Sequence, residues 1–170
     1  MCALAEEINQ IAAYLQVRGQ NNLPTWEELP DIELYMDQVV ALTNRYLGNR
    51  SKDKMVTPSM VNNYVKMKVM PAPVKKKYTR THLMYLIVIC VLKQVMPLSS
   101  VETVLKDSLS QDGPDAFYTR FRSLYADAFE NASEEAQRLS EKGTSHTGVM
   151  LALAMNAQAE QAMAQELLEL

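Results

Sequence analysis

Apolar side chains recur at helical spacing along most of the chain. Leu4, Ile8, Ile11, Ala12 and Leu15 fall on one stripe of residues 2–17, a recurrence that predicts an amphipathic helix. Gly19 to Pro24 is rich in turn formers and predicts a break, and LPTWEELPD after it reads as a docking loop with Trp26 and Leu29 as its apolar points. Asp31 follows Pro30 and is read as the cap of a helix running to about Leu47, with Leu34, Tyr35, Gln38, Val39, Leu42 and Tyr46 on its inner face. GNRSKDK, residues 48–54, is a polar, basic loop.

The sharpest local signals lie in residues 56–105. Thr57 is a good N-cap, and Pro58 then falls at the first helical position, where its missing N–H costs nothing. The helix it opens runs to about Met67, with Met60, Val61, Tyr64 and Val65 on one face and Ser59, Asn62, Asn63 and Lys66 on the other. MPAPVKKKY is too rich in proline for a helix and suits a tight basic hairpin or wing. Thr79 caps the next helix, nearly all apolar from Leu83 to Val95 and stopped by Pro97. Ser99 and Glu102 make a capping-box pattern for a short helix to about Leu109. Tyr64, Leu83, Leu86, Ile87 and Leu92 are the expected core of this stretch.

SQDGPD reads as a linker. Residues 115–141 predict a longer helix with Phe117, Phe121, Leu124, Tyr125, Ala128 and Phe129 on one side, KGTSHT breaks it, and a last helix over about 146–168 is rich in Ala and Met. The organisation that follows is a module over 1–110 that includes the N-terminal helix, and a helical region over 111–170. The second region carries two stripes, one aromatic and one through His146, Met150, Leu153, Ala157, Ala164 and Leu167, and either pairs between chains or folds back on itself. A homodimer is the expectation.

Composition agrees with an all-α chain: 170 residues, 48% hydrophobic, only 5 Gly, and Ala, Leu, Met, Glu, Gln and Lys in abundance. The longest apolar run, Leu83 to Leu92, is half of what a membrane span of about 20 residues needs, so no membrane partner is expected. Two cysteines, Cys2 and Cys90, and the absence of a basic, apolar leader point to a reducing, cytoplasmic setting.

Charge changes the picture most. The net −3 hides three blocks: one basic and seven acidic side chains over residues 1–43, eleven basic and one acidic over 44–95, and five basic and twelve acidic over 96–170. The middle block is net +10, between −6 and −7. A basic block of that size between two acidic ones marks where a polyanion would bind.

The segment TPSMVNNYVKMKVMPAPVKKKYTRTHLMYLIVICVLKQVMPLSSVETVL resembles the MerR-type winged helix-turn-helix, with Tyr64 at the second-helix tyrosine, Val69, Met70 and Pro71 as the exit, Lys75, Lys76, Lys77 and Tyr78 as the wing, and Thr79 opening the next helix. Asn62 and Asn63 stand where that family usually carries Arg and Tyr, and Lys68 where its helix ends in glycine. From LPTWEELPDIELYMDQV onward the chain is also similar to an uncharacterised bacterial family known as domain of unknown function 1836, which brings no activity with it. The resemblance implies a fold that is all-α, a winged helix-turn-helix-like module with additional N- and C-terminal helices. It also implies double-stranded DNA as partner and a role as a transcriptional regulator. Ser59, Asn62, Asn63 and Lys66 are then the base-facing residues; asparagine can pair bidentately with adenine. Arg45, Arg50, Lys52, Lys54, Lys68, Lys75, Lys76, Lys77, Tyr78 and Arg80 are the phosphate and wing contacts, which give affinity and register rather than sequence.

No catalytic or cofactor pattern competes. The two histidines, His82 and His146, have no metal-ligand spacing around them, and no phosphate loop, dinucleotide fingerprint or nucleophile elbow is present. His82 reads as a cap, a phosphate contact or an exposed side chain. No cofactor, no metal and no enzymatic activity are expected, and nothing in the residues specifies a small-molecule effector. The other functional class is a protein-interaction module that keeps the helix-turn-helix frame without DNA binding.

Overall fold

A computed structural model describes every residue except Met1, Asn22, residues 49–55 and Leu170. Among the described residues there are seven helices and no strand: α1 (Cys2–Asn21), α2 (Met36–Leu47), α3 (Pro58–Lys66), α4 (Arg80–Leu92), α5 (Leu98–Gln111), α6 (Pro114–Glu141) and α7 (His146–Leu167). They form two compact units, one spanning Asn22–Arg122 and the other combining Met1–Asn21 with Ser123–Leu170. The helix α1, which the sequence places with the 1–110 portion, therefore groups with the C-terminal helices.

The central unit is built around α4. Its sequence RTHLMYLIVICVL is apolar on every side, and a helix of that kind needs neighbours all round. Leu83, Met84, Leu86, Ile87, Val88, Ile89 and Cys90 are all buried, and α2 and α5 pack against the helix. Burial pushes the Cys90 thiol up to about 11, so it behaves as a small apolar group. Of the five expected core residues, Tyr64, Leu83, Leu86 and Ile87 are buried and Leu92 is half-buried.

Several sequence expectations shift here. Asp31 does not cap α2; Leu34 leaves the helical path to pair with Tyr78, and α2 starts after Tyr35, whose N–H donates to the Gln38 side chain at 2.9 Å. Tyr35 is exposed rather than internal. The Thr25–Leu29 turn closes on itself, with the Thr25 N–H donating to Glu28 at 2.7 Å and the Glu28 N–H to the Thr25 hydroxyl at 3.2 Å. Ser99 and Glu102 form no capping box, because α5 already begins at Leu98 behind Pro97. The linker shrinks to Asp112 and Gly113. The segment 71–79 carries single bridges, not strands, so in place of the expected tight basic hairpin or wing there is a tight turn.

In the second unit α1 runs through Gly19 instead of breaking there. A Cβ at Gly19 would sit 2.5 Å from Cβ of Phe129, so the glycine serves close approach, not a turn. Gln16 donates to Glu130 at 3.0 Å. The buried apolar cluster is small: Ile8, Ala136 and Val149, with Leu139 and Leu153 against it. At the end of α6, Gly143 with φ 78 allows the Thr144 N–H to reach the Leu139 carbonyl (3.1 Å) and its own N–H to reach Ser140 (2.9 Å), the paired bonds of a Schellman exit.

Candidate nucleic-acid interface

The centre of the candidate site is α3. Thr57 caps it, its hydroxyl accepting the Met60 N–H at 3.3 Å, with Pro58 at the first turn. Val61 and Tyr64 are buried on the inner side. Ser59, Asn62, Asn63 and Lys66 stand at i, i+3, i+4 and i+7 and are all exposed, so they make one continuous outer stripe. Three of the four are uncharged hydrogen-bonding side chains. Asn63 makes only a weak internal contact, its amide donating to Met67 sulfur at 3.3 Å.

Two contacts missed in the sequence hold α3 in place. Asn44 of α2 pairs with the backbone of Val56 through both ends of its amide: Nδ2 donates to the Val56 carbonyl (2.9 Å) and Oδ1 accepts the Val56 N–H (2.7 Å). Val56 is itself buried, immediately ahead of the Thr57 cap. At the other end, Lys93 donates to the Tyr64 hydroxyl at 3.0 Å and lies over its ring. A polar residue inside a predicted amphipathic helix was the only trace of Asn44's role.

The exit of α3 uses a lysine as its left-handed residue. Lys68 has φ 61; the Val69 N–H bonds the Tyr64 carbonyl and the Lys68 N–H bonds the Val65 carbonyl, both at 3.0 Å. Val69 and Met70 then plug into the interior. Past Pro71 and Pro73 the chain turns at Val74–Lys77, where the Lys77 N–H donates to the Val74 carbonyl at 2.9 Å and both central residues are left-handed, Lys75 at φ 50 and Lys76 at φ 63.

The basic set divides on placement. Arg45, Lys66, Lys68, Lys75 and Lys76 are exposed. Lys77 is half-buried, donates to Glu33 at 2.7 Å and lies over the Tyr35 ring, and Glu33 raises its pKa. Arg80 is also half-buried, 3.7 Å from Asp31 and stacked over Trp26, with a buried Nε that has no partner. Tyr78, assigned to the wing contacts from sequence, is buried, and its backbone exchanges two 2.8 Å hydrogen bonds with Leu34. Arg50, Lys52 and Lys54 lie outside the described residues.

His82 is neither exposed nor open to a phosphate. It is buried, its Nδ1 accepts the Thr79 N–H at 3.0 Å, and its ring meets Tyr78 edge-on at 5.4 Å. An acceptor Nδ1 fixes the proton on Nε2. Burial lowers its pKa, with the Ala72 carbonyl acting the other way.

No metal-holding cluster of three or more His, Cys, Asp or Glu occurs among the described residues, and no helix among them is long and apolar enough to cross a membrane. The sequence profile of a family described as a domain of unknown function (DUF1836) matches residues 24–128. The chain belongs to that family. No curated protein and no solved structure matches the chain.

Proposed function

We propose that this DUF1836 protein is a sequence-specific DNA-binding transcriptional regulator that lays α3 in the major groove of double-stranded DNA, in the manner of a helix-turn-helix. The observation that carries the reading is the outer stripe of α3. Ser59, Asn62, Asn63 and Lys66 are exposed together on a helix whose other side is buried, and they lie in the block that is net +10. A groove-reading helix needs that combination: an apolar face to seat it, amides for base edges and surrounding cations for phosphates. Ser59, Asn62 and Asn63 are the base-reading residues of this proposal, with Lys66 at the end of the same stripe.

The proposal includes a homodimer formed through the second unit. A single nine-residue helix reads few base pairs, and two-fold dimers solve this by reading two half-sites. In α7, Met150, Leu151, Met155, Met163 and Leu167 are each more than half exposed, and no charged residue occurs from Thr147 to Ala159. Ile11 and Tyr14 of α1 are as exposed. On α7 these side chains are spread round the helix, so the unit leaves apolar surface uncovered on more than one side. The small internal cluster of this unit leaves the same need for apolar cover. Sedimentation of the full chain beside Leu151→Glu/Met155→Glu tests this part: a dimer that dissociates in the variant is expected, and a full-length monomer at micromolar concentration contradicts it.

Binding of the purified protein to duplex DNA over a salt series tests the function. A steep fall of affinity with salt is expected, about 0.9 logarithmic units per phosphate contact. The second reading, a helix-turn-helix frame that binds protein and not DNA, is favoured by one observation: Glu33 and Asp31 already occupy Lys77 and Arg80. That reading predicts no duplex binding even at 50 mM salt.

A further inference from the structure

Among the described residues, the non-glycine residues with positive φ are Lys68, Lys75 and Lys76. All three are lysines, all three are exposed, and none is a residue type that tolerates the left-handed region well. The chain shows the alternative in its own fold. At the end of α6 the same Schellman exit is made with glycine, Gly143 at φ 78, whereas α3 makes it with Lys68 at φ 61. Likewise a two-residue turn with both central residues left-handed is the setting for Asn-Gly, yet Val74–Lys77 is turned by Lys75 and Lys76. Local backbone preference therefore argues against lysine at each of the three corners, and strain of this kind points to a function for the side chain.

We propose that Lys68, Lys75 and Lys76 are the preorganised phosphate contacts of the interface, and that Lys77 and Arg80 are positioning residues that hold the turn. This assignment rests on the DNA-binding reading and refines it. The three cations sit on backbone whose course is fixed at several points. Val69 and Met70 are buried directly after Lys68, Pro71 and Pro73 lock φ in the connecting stretch, and the Leu34–Tyr78 pair clamps the far side of the turn. Two neighbouring cations are paired within the chain: Lys77 with Glu33, and Arg80 with Asp31 and Trp26. A lysine on a fixed corner loses less freedom on meeting a phosphate than one on a loose loop.

The test compares the full-length protein with Lys68→Gly combined with Lys75→Asn and Lys76→Gly, which installs the residues these backbone corners favour. The denaturation midpoint should rise. At the same time the slope of log affinity against log salt on a B-DNA duplex should fall by about 2.7, three contacts at about 0.9 each; with an unchanged intercept at 1 M, that is about a 500-fold loss at 0.1 M salt. Weaker binding by a more stable protein excludes misfolding as its cause. Lys77→Gln should lower the midpoint and leave the slope unchanged, whereas loss of a phosphate contact would lower it by about 0.9; Lys142→Ala should change neither. A parent protein that binds DNA beside a triple variant with the same slope overturns this assignment alone, as does a triple variant with a lower midpoint. A parent protein that binds no duplex at 50 mM salt overturns the functional reading, and the assignment with it.

Discussion

Asn44→Ala removes the one described side chain that ties the start of α3 to α2. The two bonds to Val56, at 2.7 and 2.9 Å, are both short and well formed. Each such bond contributes about 0.5–1.5 kcal/mol net, so their loss costs about 1–3 kcal/mol. Val56 is buried, so its N–H and carbonyl are left without partners, and the cost belongs at the upper end of that span. The consequence for function is larger than the stability change suggests. Val56 directly precedes the Thr57 cap, and a start of α3 that is no longer pinned lets the outer stripe shift against the proposed groove. Urea unfolding followed by helical ellipticity measures the first effect. DNA affinity at a fixed salt, under conditions where the variant is still folded, measures the second. Asn44→Asp should fall between parent and alanine variant, since it keeps the acceptor and loses the donor. A cost below about 0.5 kcal/mol with unchanged affinity would refute the idea that Asn44 positions α3.

Three further outcomes follow from buried groups. His82 has a folded pKa below its unfolded value because burial disfavours the cation, so its contribution to stability is complete above about pH 6.5 and is lost as pH falls through the folded pKa. His82→Gln keeps an N3 acceptor for Thr79 and should remove that part of the acid sensitivity; parent and variant melting with identical pH dependence between 7 and 5.5 would argue against it. Tyr118 is fully buried, its hydroxyl has no partner and burial raises its pKa, so Tyr118→Phe should stabilise the protein by about 1 kcal/mol in a urea titration; a comparable loss would reveal a hydroxyl partner. Gly19→Ala should destabilise by about 1–3 kcal/mol despite alanine's better helix propensity, because its Cβ meets Phe129 at 2.5 Å; a raised melting temperature would mean that α1 and α6 do not approach as described.

What the sequence disclosed were the local signals. Thr57 followed by Pro58 marks the start of α3 without ambiguity, Thr79 opens α4, and the unbroken apolar face of α4 identifies the central helix. The break at 142–145 places α6 and α7. Two of the misplaced features depend on partners distant in the chain. Leu34 is extended because Tyr78, 44 residues away, supplies both its backbone hydrogen bonds, which no local pattern encodes. Gly19 reads as a turn former until Phe129 is seen against it. Within the candidate site, the outer stripe of α3 follows directly from helical spacing. The division of the basic cluster does not: Lys75, Lys76 and Lys77 are equivalent as a sequence, and only Glu33 and the sign of φ separate them.

Selection of bound fragments from randomised duplex DNA decides whether α3 reads sequence. Purified full-length protein is incubated with the library at about 0.1 M salt, and bound molecules are sequenced over successive rounds. The expected result is an enriched motif of two half-sites about 10 base pairs apart centre to centre, one turn of the duplex. Asn62→Ala/Asn63→Ala should lose that motif while retaining salt-dependent, non-specific binding, because the lysines proposed to meet phosphate are untouched. A parent protein that enriches no motif, or a double variant that enriches the same motif as strongly as the parent, contradicts the claim that α3 reads DNA.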